Sequence, residues 1–306
     1  MIGSRTRRLS AGCIALVMIG LVASWTVGSH LSRGEQWRVP AARPPAQDVR
    51  LRAVDGLSIA ATYRPGRDST APAVLLLHAK GQSRQSMASR AEWLASLGYA
   101  SLAIDFRGHG ESDLAPRTNG YTEARDARAA FTWLKARQRG APVAIVGISL
   151  GGAASLIGEQ GPLPADALIL QAVYPDLRRA IHNRIAQRVP DGVASLLEPL
   201  LSLQTLPRVG VWPSRISPRH ALAAFNGPVL VMGSTGDEST PPRETHALFS
   251  AVSGDRSLWL ADAGDHAAMC DLDGTTYRAI LVAFLRRTIG APGRRRTEKG
   301  SISDNG

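Results

Sequence analysis

A serine between two glycines is the strongest candidate in this chain for covalent chemistry. Residues 147–151 read Gly-Ile-Ser-Leu-Gly, and they stand between an apolar run and a run of small residues. This pattern predicts a strand, a tight turn and a helix, with Ser149 in the turn. Gly147 and Gly151 would relieve the crowding around a strained serine, so we assign them a structural role beside the site. The turn would lift the Ser149 hydroxyl clear of the sheet, where it is free to attack a carbonyl carbon.

A serine hydroxyl is a weak nucleophile at neutral pH, so this chemistry requires a general base and a carboxylate that orients the base. Both residue types follow later apolar runs, in the chain order serine, acid, histidine. Residues that follow parallel strands lie at the same edge of a sheet. We therefore predict that Ser149 is the nucleophile, His266 the base and Asp237 the orienting acid. Asp265 and Asp262 are competing acids of lower rank; Asp265 is adjacent to His266, and adjacent side chains point in different directions.

The negative charge that develops on a substrate oxygen needs backbone N–H donors. One donor is expected from the residue after the nucleophile, Leu150, and another from a loop after an early strand, where the sequence reads His-Ala-Lys-Gly. By its position in that loop, we predict the N–H of Lys80 as the second donor. We assign the His78 imidazole a structural role, because a histidine at such a place braces a loop more often than it catalyses.

These residues can meet only if the chain builds a parallel sheet. Continuous apolar runs alternate with amphipathic segments, which is typical of buried parallel strands covered by helices on both faces. A hairpin with an Asp-Gly turn at 55–56 is predicted ahead of them. The predicted strands are 73–77, 100–104, 143–148, 167–173, 228–232 and 258–260, and the predicted helices are 87–97, 122–137 and 277–288. The predicted fold class is therefore α/β, with a mostly parallel central sheet.

Composition narrows the function further. The chain has 306 residues, 44% of them hydrophobic, which suits one sizeable domain with appendages. Its net charge is +11, but the arginines are scattered along the chain rather than grouped in one stripe, so we predict no nucleic-acid partner. The sequence has neither a nucleotide-binding glycine motif nor the cysteine and histidine spacing of a metal site, so we predict no cofactor and no metal. The oligomeric state is left open.

The N-terminus has the pattern of an export signal. Three arginines among the first eight residues precede a stretch from Leu9 to Val27 that has no charged residue. Its length is close to the ~20 apolar residues that span a bilayer, so residues 1–29 are predicted to be a signal anchor or a signal peptide. The arginine-rich start should stay in the cytoplasm, which places the rest of the chain outside, in the periplasm or at the cell surface.

Five segments taken together resemble the α/β-hydrolase superfamily over residues 48–289. They read LLLHAKG, DFRGHGES, GISLGG, GSTGDESTPP and AGDH in chain order. Within the superfamily the chain is similar to the Bem46-like and serine aminopeptidase (S33)-like branches, except that alanine follows His78 where those branches usually have glycine. The resemblance implies the α/β-hydrolase fold, a Ser-Asp-His triad and no cofactor. Residues 30–47 then form a linker, and residues 290–306 form a disordered basic tail.

A short insertion at 175–220 is predicted to form a helical cap. Its leucine-rich second half either covers an acyl-binding cleft or packs on the sheet like any other helix, and the sequence leaves both open. We predict a serine hydrolase that cleaves a carboxylic ester, or secondarily an amide or peptide, of a small-molecule or lipid-like acyl substrate through an acyl-enzyme. The N-terminal apolar segment would place it at a membrane. Two alternatives stay open: an acyltransferase that uses the same three residues, and a non-catalytic binding module.

Overall fold

An eight-stranded sheet forms the centre of the molecule. The structure is a computed structural model, and it describes residues 2–262 and 264–293. In this part of the chain, strands β1 to β8 are Gln47–Arg52, Ser58–Arg64, Ala73–Leu77, Ala100–Ile104, Val143–Ile148, Ala167–Gln171, Val229–Ser234 and Arg256–Ala261. Their order across the sheet is β1-β2-β4-β3-β5-β6-β7-β8. β2 is antiparallel to β1 and β4, and the other neighbours are parallel, which confirms the predicted mostly parallel sheet.

Two apolar layers bury the sheet, because successive residues of a strand point to opposite faces. On β3, Leu75 and Leu77 belong to one buried cluster, whereas Val74 and Leu76 belong to the other. All four side chains are completely buried. Burial on both faces explains why the central strands are continuous apolar runs in the sequence rather than alternating ones.

Helices cover both faces of the sheet, as predicted. In the part of the chain that the structure describes, helices α1 to α11 are Ile2–Leu31, Ala88–Ser96, Glu123–Arg137, Leu150–Leu156, Leu177–Ala186, Asp191–Ser202, Thr205–Val209, Pro218–Leu222, Pro242–Ala251, His266–Asp271 and Thr275–Thr288. α3, α4, α8 and α9 pack on the face that contains Leu75, and α2, α10 and α11 pack on the face that contains Leu76. The sequence analysis missed α9, which starts at two consecutive prolines; proline is tolerated at that end of a helix.

The strand predicted at 167–173 ends two residues earlier than expected. β6 stops at Gln171 because the next residue, Ala172, has a φ of 53°, a left-handed conformation that an extended strand cannot contain. The carbonyl of Gln171 accepts the N–H of Ser149 at 2.8 Å. The end of β6 therefore supports the turn that holds the candidate nucleophile.

The insertion between β6 and β7 is helical, as predicted, and contains α5 to α8. Asp176 begins α5 as its N-cap, since its carboxylate accepts the N–H of Arg179 at 3.0 Å. The leucine-rich stretch contains two helices, α6 and α7. We refer to α5, α6 and α7, with the short segments between them, as the cap.

The N-terminal segment forms one long helix, α1. Its stretch Ile14–Leu31 is long and apolar enough to cross a membrane. The segment after it, predicted as a linker, contacts the sheet domain: the N–H of Glu35 donates to the carbonyl of Gly108 at 3.0 Å. The predicted basic tail lies outside the described residues from residue 294 onward.

Candidate active site

Ser149 lies in a strained turn between β5 and α4. Its φ of 47° and ψ of −107° put a non-glycine residue in an unfavourable conformation. Such a conformation costs about 1–3 kcal/mol and is common at functional sites. The residue is 7% exposed, so only a small part of it is open to an incoming molecule.

The glycines beside Ser149 are required by close backbone contacts. A Cβ atom on Gly147 would lie 2.5 Å from the Cα of Gly152. One on Gly151 would lie 2.3 Å from the carbonyl oxygen of Leu77. The clashing atoms belong to the backbone, so they could move aside only by separating α4 from β3 and β5. These glycines therefore let α4 begin directly against the sheet, and this contact sets the position of Ser149.

His266 and Asp237 reach Ser149 from the loops that follow β8 and β7. The Nε2 of His266 lies 3.2 Å from the Ser149 hydroxyl oxygen, and its Nδ1 lies 2.7 Å from Oδ2 of Asp237. An ionised carboxylate only accepts hydrogen bonds, so Nδ1 carries the proton and Nε2 accepts from the serine hydroxyl. The Oδ1 of Asp237 accepts the N–H groups of Ser239 and Thr240, both at 2.8 Å. These two bonds fix the carboxylate in the orientation that holds the imidazole.

The two competing aspartates have other partners. Asp265 caps α10 by accepting the N–H of Ala268 at 2.9 Å. Asp262 is exposed, and its carboxylate accepts the hydroxyl of Thr235 at 3.4 Å. Among the residues that the structure describes, neither is hydrogen-bonded to His266, so geometry ranks both below Asp237, as the sequence did.

Lys80 and Leu150 line the same cleft as Ser149. Within the described residues, the backbone N–H groups of Lys80 and Leu150 have no hydrogen-bond acceptor, which is the condition for donating to an oxyanion. The N–H of the neighbouring Ala79 instead donates to Oε1 of Gln82 at 3.3 Å. The N–H of Lys80 is thus the more available donor of the two.

The His78 imidazole connects two loops at the base of the site. It is completely buried; its Nε2 accepts the N–H of Phe106 at 3.1 Å, and its Nδ1 donates to the carbonyl of Ala79 at 2.7 Å. These bonds require a neutral ring, and burial lowers the pKa of His78 to about 4. The buried ring of His109 lies beside it, with 5.1 Å between centroids, and burial lowers the pKa of His109 to about 2.

Buried ion pairs hold the loop that follows β4. Asp105 is completely buried and pairs with the Arg84 guanidinium, which also contacts Glu111 at 2.7 Å. Two residues further along, Arg107 pairs with the buried Asp126 at 2.7 Å. Breaking such a pair would leave a buried charge without a partner, so these contacts keep the rim of the site in one conformation.

A cleft of about 970 Å³ contains Ser149. Its walls come from the cap, from the loop at 115–119 and from the last turns of α1. None of the described residues that line it has a carboxylate. Six of them have a cationic side chain, namely Lys80, Arg107, Arg117, Arg184, Arg188 and Arg208. Only Arg107 of these six has a carboxylate within 4.0 Å among the described residues. The cleft therefore carries more positive than negative charge, and five of its six cations have no carboxylate in direct contact among the described residues.

The Lys80 ammonium is partly buried among other cations of the cleft. Its Nζ lies 3.4 Å from Oδ1 of Asn119, and burial of the ammonium lowers the pKa of Lys80 to about 8. The nearby Arg117 and Arg184 act in the same direction, and Glu123 opposes them. Part of the Lys80 side chain remains exposed. An anion in the cleft would be attracted by this group of charges.

Sequence reasoning missed most of the residues that line the cleft. Arg184 and Arg188 are four residues apart and share one side of the cap with Ile181 and Ile185. Their four-residue spacing is typical of one side of a helix, but spacing alone does not show that this side faces a cleft. The lining residues of α1 were missed because an apolar N-terminal segment gives no indication of what it contacts.

The predictions of no metal and no cofactor stay predictions. Within residues 2–262 and 264–293, no three His, Cys, Asp or Glu side chains are grouped to hold a metal ion. Burial raises the pKa of the Cys270 thiol to about 12, so this thiol is protonated and a poor nucleophile at neutral pH.

The family model of the S33 serine aminopeptidases matches residues 68–209. The fold is similar to that of an esterase from Pyrococcus furiosus, with a TM-score of 0.65 and 20% identity over 84% of this chain and 100% of that one. The chain has the α/β-hydrolase fold and resembles that superfamily in sequence. The resemblance inferred from the motifs is thereby confirmed.

The chain is also similar to curated proteins. It is 28% identical to the protein YqkD of Bacillus subtilis over 195 residues, which are 62% of this chain and 63% of that protein. It is 35% identical to the lysophosphatidylserine lipase ABHD12 of Rattus norvegicus over 122 residues, which are 38% of this chain and 30% of that protein. The chain thus matches less than two thirds of the length of either relative.

The buried histidines make the stability of the folded chain sensitive to acid. The pKa of His78 is about 4 in the folded chain and 6.5 ordinarily, so the unfolded chain binds more protons between these values. The contribution to stability is therefore complete above about pH 6.5 and is lost as the pH falls towards 4, by up to about 3 kcal/mol. Urea unfolding of the detergent-solubilised chain at neutral pH and at about pH 4.5 measures this loss.

Two histidine variants separate this effect from general acid sensitivity. His78→Asn should flatten the dependence of the unfolding free energy on pH, whatever it does to stability at neutral pH. His246→Asn replaces an exposed histidine and should leave that dependence as in the parent chain. An unchanged slope in His78→Asn would contradict the assignment.

Proposed function

We propose that this protein is a serine hydrolase that cleaves a carboxylic ester through an acyl-enzyme. The observation that carries the proposal is the hydrogen-bonded chain of Ser149, His266 and Asp237, with distances of 3.2 and 2.7 Å. The match to the serine aminopeptidase family and the similarity to esterases of the same fold support it. Peptide hydrolysis would use the same three residues, and the ester is preferred because the cleft suits an acyl chain.

In the proposed reaction, His266 takes the proton of Ser149 while the serine oxygen forms a bond to the ester carbonyl carbon. The carbonyl oxygen becomes an oxyanion and accepts the N–H groups of Leu150 and Lys80. The protonated His266, stabilised by Asp237, gives its proton to the leaving alcohol as the ester C–O bond breaks. Water then attacks the acyl-enzyme with His266 as base, which releases the acid and restores the serine.

The cleft favours an acyl ester that also carries an anionic group. Apolar side chains such as Leu177 and Ile181 line it together with cations such as Arg184 and Arg188. Positive charge without a neighbouring carboxylate attracts anions and raises their local concentration. The similarity to a lysophosphatidylserine lipase supports the same class of substrate, an amphiphile with an acyl chain and an acidic head group.

Helix α1 is proposed to anchor the enzyme in a membrane. Its apolar stretch Ile14–Leu31 is of the length that a bilayer requires. Arginines at its start favour the cytoplasmic side for the N-terminus, which leaves the hydrolase domain outside the cytoplasm.

Replacing the nucleophile tests the reaction. Ser149→Ala should lower kcat for a short p-nitrophenyl ester by a factor on the order of 10⁶, because the three residues act as one unit. It should also abolish labelling by a fluorophosphonate probe. Ser250→Ala, at an exposed position on α9, serves as the matched control and should behave like the parent enzyme. Retained turnover in Ser149→Ala would refute the proposal.

A pair of asparagine variants identifies the acid. Asp237→Asn should lower kcat by roughly 10⁴, because an amide no longer holds His266 in the required tautomer. Asp265→Asn keeps an oxygen that can cap α10 and should retain activity within about threefold. Steady-state kinetics of both variants on the same ester make the comparison. The opposite ranking would assign the role to Asp265.

Preference for an anionic substrate should depend on the cap arginines. The double variant Arg184→Gln/Arg188→Gln should raise KM for an acidic monoacyl ester by roughly tenfold, because charge-assisted contacts are lost. KM for a neutral ester of equal chain length should change little. Arg179→Gln alters an arginine of the same helix that pairs with Asp176 outside the cleft, and it should change neither value. Equal effects on both esters would argue against an anionic head group.

A further inference from the structure

The last turns of α1 are bonded to the cap. The Ser24 hydroxyl donates to the carbonyl of Leu200 at 2.8 Å, and the side-chain amide of Gln204 donates to the Ser24 carbonyl at 3.0 Å. Arg208 lies over the Trp25 ring, with its Cζ 4.0 Å from the ring centroid, and donates to the Trp25 carbonyl at 3.1 Å. A helix apolar enough to cross a membrane is therefore attached to the helices that cover the cleft.

Gly28 makes this contact possible. A Cβ atom there would lie 2.0 Å from Oε1 and 2.8 Å from Cδ of Gln204. Gln204 could turn away only by giving up its bonds to Ser24 and Arg208. Small residues at such contacts let helix backbones approach closely. Gly20, on the same helix, has no atom within 4 Å of an added Cβ.

The same end of α1 lines the cleft that contains Ser149. Trp25 and Leu31 contribute to its wall. Beyond them, the carbonyl of Ser32 accepts the N–H of Arg117 at 2.7 Å, which attaches the end of the helix to the loop at 115–119 that also lines the cleft. The wall formed by α1 thus runs from the cap to the rim of the sheet domain.

Beside α1, the cap exposes leucine side chains. Leu196 on α6 is 76% exposed, and four more leucines of α6 and α7 and between them are 39–49% exposed, at positions 197, 200, 203 and 206. Exposed apolar sets of this kind mark interaction surfaces. Ser24 lies seven residues before the end of α1 at Leu31, or roughly 10 Å along a helix. Helices that lie in a membrane interface are buried to a similar depth, roughly 5–10 Å.

We propose that the end of α1 is the wall along which an acyl chain passes from the bilayer to Ser149, with α6 and α7 lying in the membrane interface beside it. The partner of the exposed leucines is then a lipid bilayer. This inference rests on the proposed ester hydrolysis. Residues 25–32 then have two roles: they end the membrane anchor, and they determine which acyl chains the cleft accepts.

The variant Gly28→Leu tests the wall in the full-length protein, reconstituted in phosphatidylcholine vesicles. The leucine would displace the Gln204 amide from its bond to Ser24 and so loosen the contact between α1 and the cap. We expect kcat/KM for a monoacyl oleoyl ester in the vesicles to fall roughly tenfold or more, whereas kcat/KM for p-nitrophenyl acetate in water should stay within about twofold. Gly20→Leu adds the same side chain to the same helix without a contact, and both rates should be unchanged.

The ratio of the two rates decides the result. A selective loss on the vesicle substrate in Gly28→Leu supports the wall. An equal loss on both substrates, or no loss on either, overturns it, and so does an equally selective loss in Gly20→Leu.

Fluorescence quenching tests the contact between the cap and the bilayer independently of enzyme activity. A fluorophore attached at Leu196→Cys should be quenched by brominated lipids, whereas one at Ser253→Cys, an exposed position near the amino end of β8, should not be. Both variants carry Cys13→Ala, and the buried Cys270 does not label. An unquenched Leu196 probe overturns the bilayer route. If that probe is quenched but the parent protein cleaves no ester, the fault lies with the proposed hydrolysis.

Discussion

The site depends on the close approach of α4 to the two strands beneath it. Gly147 and Gly151 have no side chain. A larger group at Gly147 would clash with the backbone of Gly152, and one at Gly151 would clash with the backbone of Leu77. This approach forces the unfavourable φ of Ser149 and also places the N–H of Leu150 at the start of α4. The strain, about 1–3 kcal/mol, is small beside the burial of β3 and β5, in which each large apolar side chain contributes about 1.5–3 kcal/mol.

Around this turn, the site is held by neutral or paired polar groups. Asp237 receives two backbone N–H groups and the imidazole of His266, so its carboxylate has a partner on each oxygen. His78 is kept neutral by burial and joins two loops through its two ring nitrogens. Arg107 and Asp126 neutralise each other inside the rim. The base of the site is therefore rigid, and the charge left without a carboxylate partner is concentrated in the cleft.

Sequence patterns were sufficient for the sheet because burial on both faces leaves continuous apolar runs, and sufficient for the loops of Ser149, Asp237 and His266 because each follows such a run. They failed where a single backbone angle decides the outcome, as at Ala172, where a positive φ ends β6. They also failed for contacts between distant segments. The packing of Gly28 on Gln204 joins residues 176 positions apart, and no local periodicity encodes such a pairing. Ser24 and Gly28 are four residues apart, so they share one side of α1, but this spacing does not identify the partner.

The arrangement of charge and apolar surface in the cleft implies a direction for the substrate. The end of α1 supplies Trp25 and Leu31 on one wall, while Arg184 and Arg188 stand on the cap with no carboxylate within 4.0 Å among the described residues. An amphiphile would bind less tightly with its acyl chain against the arginines or its acidic group against the apolar wall, because both arrangements cost free energy. The ester of a monoacyl lipid lies between these two parts. In this orientation, the ester bond, which joins the acyl chain to the head group, would lie next to Ser149 in the same cleft.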